Sequence, residues 1–432
     1  MRILIYGINF SPEWTGVGKF TGEMAEWLAS RGHAVSLVTA PPHYPQWQVP
    51  AEYSAWRYQS DRYRPGSGGT LEIHRCPVWV PRAPHGLRRI LHLASFALAS
   101  FPVAARQIFW RPDIVLVIEP TFLCAPIGLW VARRARAAAW LHIQDFEVDA
   151  AFGLGDLSSD WARRGALAAE RFLLRRFDCV SSISEKMCQR LLEKGVASSH
   201  AALFPNWVDT SAIYPLARPS ILRDKLRMPS HASIALYSGS MGKKHSFGFL
   251  AEASRRLAPR TDLQFVFCGQ GPCLNALMDT CREAGNVHFL PLQSPEQLNE
   301  LLNLADIHLL PQRGDAEDLV MPSKLTGMLA SGRPVVATAR PGTQLGRELD
   351  GRGIVTPPGD VEAFVAAMVR LADDPGLRRS LGHAGRNYAV QYLDREEILG
   401  RFERTLLESV SGRETGSREP APAGRARKMS LQ

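Results

Sequence analysis

Residues 1–20 read MRILIYGINFSPEWTGVGKF, and the order of elements in this stretch decides the fold. Residues 1–6 form an apolar run of strand length, a loop with Pro and Gly follows, and a helical pattern starts at about Lys19. This order opens a βαβ unit of a parallel sheet. Free N–H groups at the start of such a helix attract anions. Gly16 and Gly18 are therefore candidate ligand-binding positions, with a tight structural turn as the alternative.

The same alternation of apolar runs and helical patterns continues through both halves of the chain. The predicted strands are residues 3–6, 34–39, 114–118, 137–141 and 179–183 in the first half, and 233–238, 263–268, 287–290, 307–310 and 334–337 in the second. Strands separated by helices imply an α/β protein with two Rossmann-like domains. Because Pro215 and Pro219 break the pattern, we predict domains over residues 1–215 and 216–392.

A last helical pattern covers residues 393–410. Asp394 is a capping residue with Glu397 three positions later, and the apolar side chains that follow form one stripe, which predicts a closing helix that packs back on the protein. Residues 411–432 contain mainly Gly, Ser, Arg, Glu, Pro and Ala, so this basic tail is predicted to be disordered.

Composition excludes several classes of protein. The chain has 432 residues, a net charge of +9 and seven scattered cysteines without a CxxC pair, so neither a disulfide framework nor a zinc ribbon is indicated. A cytosolic protein is expected, because no signal peptide is recognisable. No nucleic-acid-binding motif occurs either.

The positive charge is concentrated in residues 51–111, with nine arginines against three acids, and in the tail, with five basic residues against two acids. The apolar stretch 90–105 is interrupted by polar residues and is not expected to cross a bilayer. An apolar helix flanked by Arg suits a surface that docks on anionic lipids. A partly buried helix with a solvated end explains the pattern equally well.

Polar residues follow the predicted strand 137–141. In open α/β sheets ligands bind at the carboxyl ends of the strands. His142 and Asp145 are therefore candidates for contacts to sugar hydroxyls or for proton transfer from an acceptor hydroxyl. A helix-capping role is the alternative.

The second half places a similar loop after its first strand. Gly239, Ser240, Lys243 and Lys244 combine close backbone approach with positive charge, which suits phosphate, whereas a solvated loop is the competing interpretation. A helix predicted to open at residues 321–324 adds Ser323 and Lys324 as a second anion site. The acids between these sites are Asp315, Glu317 and Asp318, which could accept hydrogen bonds from hydroxyls or form an exposed turn.

Several short motifs occur in a fixed order along the chain: Gly16-Val17-Gly18, Ser182-Ile183-Ser184-Glu185, Pro205-Asn206-Trp207-Val208-Asp209, Gly269-Gln270-Gly271-Pro272 and Gly332-Arg333-Pro334. With this ordered set the chain resembles the retaining glycosyltransferases of family 4, which have the GT-B fold. The opening Tyr6-Gly7-Ile8-Asn9-Phe10-Ser11-Pro12-Glu13, with Ala40-Pro41-Pro42-His43-Tyr44-Pro45 and Leu325-Thr326-Gly327-Met328-Leu329-Ala330-Ser331-Gly332, looks closer still to the transferases of colanic acid and related exopolysaccharide synthesis. The resemblance implies two Rossmann-like domains facing each other across a cleft, a nucleotide-sugar donor held by the second and an acceptor held by the first.

The resemblance implies further properties. No metal or cofactor is expected, the acceptor is a polyprenyl-diphosphate-linked or other saccharide, and the donor leans toward GDP-fucose. The enzyme would act at the cytoplasmic face of the inner membrane, as a peripheral protein, through the Arg-rich region 57–111.

Three positions depart from the family pattern. The paired Glu residues of the family fall at Leu319 and Gly327, the Arg that usually follows the strand-end glycine is Ser240, and the His of a His-Asp pair aligns with Gln144. We therefore expect Lys243, Lys244, Ser323 and Lys324 to hold the donor diphosphate while Gly16 and Gly18 close over the reaction centre. Asp145 and His142 would orient the acceptor. A GT-B nucleotide-sugar 2-epimerase and an inactive glycosyltransferase-like scaffold are the alternatives.

Overall fold

The structure is a computed structural model, and it describes residues 1–66, 68–82, 86–120, 122–146, 149, 160–242, 247–312 and 321–414. The chain forms two compact units. The first contains Met1–Pro205 and the chain from Leu399 onward, and the second contains Asn206–Ile398.

The N-terminal unit is built on one eight-stranded sheet. Its strands are β1 (Arg2–Tyr6), β2 (Ala34–Thr39), β3 (Gln59–Tyr63), β4 (Thr70–Arg75), β5 (Ile114–Glu119), β6 (Ala138–Ile143), β7 (Cys179–Ser182) and β8 (Ala201–Leu203). They lie in the order β3-β4-β2-β1-β5-β6-β7-β8, and only β3 is antiparallel to its neighbour. Strands β5 and β6 are buried along their whole length, as expected for a parallel sheet covered on both faces.

The described helices of this unit surround the sheet. They are α1 (Gly16–Ser30), α2 (Leu87–Trp110), α3 (Ala125–Ala135), α4 (Asp160–Leu174) and α5 (Glu185–Glu193). Helix α1 begins three residues earlier than the sequence suggests, so Gly16 and Gly18 belong to its first turn. Buried apolar residues such as Phe20, Met24 and Leu28 line one side of α1, which is the periodicity of an amphipathic helix.

The second unit contains a six-stranded, fully parallel sheet. Its strands are β9 (Ser233–Ser238), β10 (Leu263–Cys268), β11 (Val287–Leu290), β12 (Ile307–Pro311), β13 (Val335–Thr338) and β14 (Gly353–Thr356), in the order β11-β10-β9-β12-β13-β14. Its described helices are α6 (Ile221–Lys225), α7 (Phe247–Arg256), α8 (Leu274–Thr280), α9 (Leu298–Leu304), α10 (Lys324–Ala330), α11 (Gln344–Leu349), α12 (Val361–Asp373) and α13 (Pro375–Tyr392). One core cluster joins Phe265 and Phe267 of the sheet to Phe364 of α12.

The ten strands predicted from the sequence are all present, and the described residues form four more, which are β3, β4, β8 and β14. Strand β3 has the sequence QSDRY and is almost entirely exposed, so it lacks the apolar alternation by which strands are recognised. Strands β8 and β14 have three and four residues. Each lies at the edge of its sheet, β8 paired with β7 and β14 paired with β13. Pairing with a neighbouring strand defines such short edge strands more clearly than their own sequence does.

Residues 206–215 belong to the second unit, whereas the sequence placed the boundary at 215. Val208 forms a bridge to Asp394, and the guanidinium of Arg386 donates hydrogen bonds to the carbonyls of Thr210 and Ile213. Prolines mark where regular elements stop, but these contacts decide with which unit the connecting segment packs.

The closing helix, α14 (Arg395–Glu414), begins in the second unit and continues in the first. Asp394 accepts the backbone N–H of Glu396, which is an N-terminal cap. In the first unit the ring of Phe402 stacks on Phe204, with ring centroids 3.8 Å apart. The helix includes residues 411–414, which the sequence assigned to the disordered tail; residues 415–432 lie outside the described residues.

The loops after β9 and β10 are joined by backbone hydrogen bonds. The N–H of Gly239 donates to the Cys268 carbonyl at 2.9 Å, and the N–H of Met241 donates to the Gln270 carbonyl at 2.8 Å. Gly269 has φ +149°, and a Cβ there would lie 2.0 Å from the Gly239 carbonyl oxygen. The glycine is therefore needed both for its backbone conformation and for this close approach.

Gly269→Ala should destabilise the second unit by about 2 kcal/mol or more, because left-handed strain adds to a backbone overlap that no side chain can relieve. Gly248→Ala is the matched control. Gly248 lies in α7, where an added Cβ would have no neighbour within 4 Å, so the change should stabilise by about 0.5–1 kcal/mol. Urea unfolding monitored by circular dichroism measures both changes, and equal midpoints for the two variants would contradict the argument.

Candidate functional site

The candidate site of the second unit lies where the strand order changes direction. Strands β10 and β11 lie on one side of β9, and β12, β13 and β14 lie on the other, so the strand order reverses between β9 and β12. Ligands of open α/β sheets bind at such a switch point. The Gly239 loop follows β9, and the segment that follows β12 leads to α10 and Lys324.

Three of the predicted donor-binding residues meet here. The ammonium of Lys324 donates to the hydroxyl of Tyr237 at 2.9 Å, and that hydroxyl donates to the carbonyl of Ser240 at 2.6 Å. A Cβ on Gly239, which has φ +126°, would lie 3.0 Å from Nζ of Lys324. Gly239 therefore leaves the space in which the lysine head lies. Tyr237 completes the arrangement and was not identified from the sequence, because a strand tyrosine is usually a core residue.

The charge of Lys324 is held in an unfavourable environment. The side chain is partly buried, its Nζ lies 4.2 Å from the centre of the Tyr237 ring, and burial lowers its pKa to about 7. Within the described part of the chain no carboxylate forms an ion pair with it. A desolvated ammonium with only a neutral partner gains from an anionic ligand, which would restore its charge.

The other predicted donor residues are placed as follows. Ser323 directly precedes α10 and makes no side-chain capping bond to it. Gly327 lies in α10, where its Cβ would be 3.2 Å from the Leu302 side chain, so this position has no room for the family's Glu without a shift. Lys243, Lys244, Leu319 and the three acids Asp315, Glu317 and Asp318 lie outside the described residues.

Gln270 is a further polar group of these loops. Its backbone carbonyl accepts the N–H of Met241, and its side-chain Nε2 is buried without a hydrogen-bond partner among the described residues. A buried amide donor without a partner costs free energy unless a ligand or water meets it. Its place between Gly269 and Gly271 is the sequence signal by which it could have been found.

In the N-terminal unit, Gly16 and Gly18 are required for different structural reasons. Gly16 has φ +63° at the start of α1, a conformation that favours glycine. A Cβ on Gly18 would lie 2.4 Å from Oε2 of Glu13, so Gly18 makes room for that carboxylate. The cap residue Thr15 makes no side-chain bond to the helix, and no acid lies in the first turn. The first N–H groups of α1 are therefore not capped by the side chain of Thr15, and no carboxylate of the helix itself lies beside them.

Glu13 is the buried centre of this loop. Its Oε1 accepts the backbone N–H groups of His43 and Tyr44, both at 3.0 Å, and its Oε2 accepts Nδ2 of Asn9 at 2.9 Å. Burial raises its pKa to about 7 despite these bonds. The carboxyl group therefore connects the loop after β1 to the loop after β2.

His142 lies in β6 rather than beyond its end. It is buried, its Nδ1 lies 2.9 Å from Oγ of Ser181, and its ring faces Phe204 at 4.8 Å. Burial lowers its pKa to about 3, so the imidazole stays neutral. This placement does not suit the proposed contact with an acceptor and gives His142 a packing role, because the predicted strand end fell two residues too early.

Asp145 lies beyond the end of β6 and is partly exposed between the buried residues Gln144 and Phe146. The chain is anchored again at Asp149, which accepts hydrogen bonds from Arg190 at 2.6 Å and Lys194 at 2.7 Å. Lys194 also pairs with the buried Glu170. Asp145 thus occupies the position at the carboxyl end of the sheet that the sequence suggested. Across the described residues, no cluster of three or more His, Cys, Asp or Glu could hold a metal ion.

Comparison with known proteins gives matches along both units. The glycosyl transferase 4-like domain family matches residues 15–207, and the glycosyl transferases group 1 family matches residues 232–374. The putative colanic acid biosynthesis glycosyl transferase WcaI of Escherichia coli K12 is 41% identical over 417 residues, which cover 93% of this chain and 98% of the relative.

Solved structures with the same fold include a sucrose-phosphate synthase from Thermosynechococcus elongatus. It is 19% identical with a TM-score of 0.71 and covers 94% of this chain and 99% of its own. Anabaena HepE, solved in complex with UDP-glucose, is 14% identical with a TM-score of 0.67 and covers 94% of this chain and 100% of its own. These likenesses confirm the expected GT-B fold with two Rossmann-like domains.

Glu13→Gln tests the buried carboxyl group. Because the pKa of Glu13 is raised from 4.5 to about 7, the folded protein binds its proton more tightly than the unfolded chain does. Wild type should therefore lose stability as pH rises from about 5 to 8, and the variant should gain about 2–3 kcal/mol relative to it over that range. Urea unfolding at both pH values measures this, with the exposed Asp61→Asn as control. A difference that does not change with pH would contradict the assignment.

Proposed function

We propose that this chain, which belongs to the glycosyltransferase family and to its colanic acid biosynthesis branch, is a hexosyltransferase. It transfers the hexosyl group from a nucleotide-diphosphate sugar with retention of configuration. The observation that carries the proposal is the ammonium of Lys324, held against Gly239 and Tyr237 at the switch point of the second unit without a described carboxylate partner. GDP-fucose is the donor that the sequence resemblance favours.

The main chemical task is to stabilise the diphosphate that leaves the sugar. A positive charge that is already in place and desolvated stabilises developing negative charge more strongly than a solvated one. Lys324 fits this role, the Nε2 group of Gln270 supplies a hydrogen-bond donor, and Gly239 lets a phosphate approach the backbone. Ser323, Lys243 and Lys244 complete the proposed donor site, and no metal is expected in it.

The proposed acceptor site belongs to the N-terminal unit. Asp145 is the carboxylate that would orient an acceptor hydroxyl or accept its proton, and the loop with Gly16 and Gly18 would face the reacting groups. The anchors at Phe146 and Asp149 support this role, since they restrict the backbone on one side of Asp145. His142 is not part of this proposal, because it is buried and packs against Phe204.

The acceptor we propose is a saccharide linked to polyprenyl diphosphate, which would place the enzyme as a peripheral protein on the cytoplasmic face of the inner membrane. The arginines of residues 57–111 support the membrane contact by their charge. A transferase needs an acceptor whereas a 2-epimerase acts on the donor alone, so product analysis with and without a lipid-linked acceptor distinguishes the two. An inactive scaffold would bind no nucleotide sugar.

Lys324→Met should weaken nucleotide-sugar binding by about tenfold and lower turnover by about 10²- to 10³-fold. In wild type, affinity should fall as pH rises from 7 to 9, because Lys324 loses its proton above about pH 7. In the variant this pH dependence should disappear, because the group whose pKa is about 7 has been removed. Calorimetric titration with UDP-glucose, GDP-mannose and GDP-fucose measures these changes.

The matched control is Lys225→Met, which removes an exposed lysine of α6 and should change nothing. Unchanged affinity and turnover in Lys324→Met, with the protein still folded, would exclude Lys324 from the donor site.

Asp145→Asn should lower kcat by about 10²-fold or more and leave nucleotide-sugar affinity nearly unchanged, because it removes a group that acts on the acceptor. Asp61→Asn serves again as the exposed control. Steady-state kinetics with a lipid-linked saccharide acceptor gives both constants. A loss of donor affinity with normal kcat would assign Asp145 to the donor instead.

A further inference from the structure

Helix α2 carries an exposed apolar stripe along its whole length. Leu98 is 77% exposed and Phe109 is 86% exposed, values that are rare for large apolar side chains of a helix packed on a folded unit. The stripe consists of Leu87, Leu91, Leu98, Phe101 and Phe109. A contiguous apolar patch of this kind marks a surface that contacts another apolar phase.

The stripe is narrow and bordered by charge. On a helix with 3.6 residues per turn its five side chains fall within a sector of about 80°, and Arg88 and Arg106 both lie about 80° from Leu98, on the same side. Both arginines are exposed. An apolar face with adjoining basic residues is the pattern of a helix that lies in a membrane interface.

The opposite face of α2 is fixed to the N-terminal unit. Phe96 is buried, Oγ of Ser100 lies 2.6 Å from the hydroxyl of Tyr6, and Oε1 of Gln107 accepts the hydroxyl of Ser36 at 3.0 Å. In the described part of the chain α2 is the one helix whose length and composition would allow it to cross a membrane. Its bonds to the sheet would have to break for that, so the exposed stripe can meet a bilayer only from the side.

Neighbouring residues extend the same surface. The ring of Phe101 lies 5.4 Å from that of Trp130 in α3, and the guanidinium of Arg134 lies 5.9 Å from the Trp130 ring. The hydroxyl of Tyr58, itself exposed, donates to the carbonyl of Ala99 in α2 at 2.8 Å. Tyr, Trp and Arg are residues that prefer the headgroup region of a bilayer.

The positive charge around α2 favours a lipid surface over a second copy of the chain as the partner of the stripe. Residues 76–112 contain five arginines and neither Asp nor Glu. If two copies of the chain paired through this face, their arginines would lie close together and repel each other. Anionic headgroups instead complement the charge of the arginines. Each basic residue near an anionic surface strengthens binding by about fivefold.

We propose that α2 lies flat on an anionic lipid bilayer, with the Leu87, Leu91, Leu98, Phe101 and Phe109 side chains inserted between the acyl chains and Arg88 and Arg106 at the headgroups. The proposal rests on the proposed function in one respect, since a lipid-linked acceptor gives the docking its purpose. It assigns the inserted contact to the leucine and phenylalanine side chains of α2, whereas the arginines of residues 57–111 contribute only by their charge.

The test is flotation of the full chain with vesicles of phosphatidylglycerol and phosphatidylethanolamine. Wild type should float with these vesicles and bind pure phosphatidylcholine at least tenfold more weakly. Leu98→Asp with Phe109→Asp should reduce binding about 100-fold, because two inserted side chains are lost. Arg88→Gln with Arg106→Gln should reduce it by about tenfold or more, and the remaining binding should depend less steeply on salt.

Phe172→Asp is the matched control, because Phe172 is an exposed phenylalanine of the same unit on α4 and should leave binding unchanged. Circular dichroism shows whether each variant is folded. Calorimetric titration with nucleotide sugars separates the two proposals, since the α2 variants should keep wild-type donor affinity. If wild type bound no nucleotide sugar, the proposed donor site would be contradicted. The vesicle experiment would still test the docking of α2 by itself.

Three outcomes would overturn the docking proposal. They are wild type that ignores anionic vesicles, an aspartate pair that binds them as well as wild type does, and bound wild type that alkaline carbonate fails to extract, as for a spanning helix. If light scattering shows a wild-type dimer that Leu98→Asp with Phe109→Asp converts to a monomer, and vesicles are not bound, the stripe pairs with a second copy instead.

Discussion

The burial of the central strands of two mainly parallel sheets, on both faces, is the constraint on which the rest of the structure depends. Strands β5, β6 and β10 have no exposed residue, so they offer no side chain to a ligand along their length. Polar chemistry is thereby restricted to the loops at the strand ends. His142 and Asp145 illustrate the rule, because a displacement of three residues separates a buried packing residue from a partly exposed carboxylate.

Each unit contains a buried or partly buried titratable group in the region that follows its strands. Glu13 in the first unit and Lys324 in the second have pKa values shifted toward 7 from opposite directions, and burial is the leading cause in each. Burial of an ionisable group reduces stability, and proteins retain such groups where function needs them. The two differ in their partners. Glu13 has three described donors and orders a loop, whereas the described partner of Lys324 is a neutral hydroxyl, so its ammonium can still bind an anion.

Glycines determine how closely the backbone of the functional loops and the neighbouring groups approach each other. Gly269 allows the Gly239 carbonyl to lie where a Cβ would be, Gly239 allows the head of Lys324 to lie beside it, and Gly18 makes room for Glu13. The closing helix depends on a different kind of contact. Phe402 stacks on Phe204, and Glu403 lies 2.8 Å from Nε2 of His33, so the C-terminal chain is fixed to the sheet of the N-terminal unit.

The amino-acid sequence alone determined the strands that are continuous apolar runs, the division into two Rossmann-like units and the strand-to-helix connections at which Gly16, Gly239 and Lys324 lie. These features follow from periodicity and local backbone preference. Tertiary structure decided what depends on neighbours distant in sequence. It formed the exposed strand β3, assigned residues 206–215 to the second unit, buried His142 under Phe204, and turned one apolar face of α2 outward. Each of these outcomes is set by which surfaces meet when the chain folds, and no local stretch of sequence contains that information.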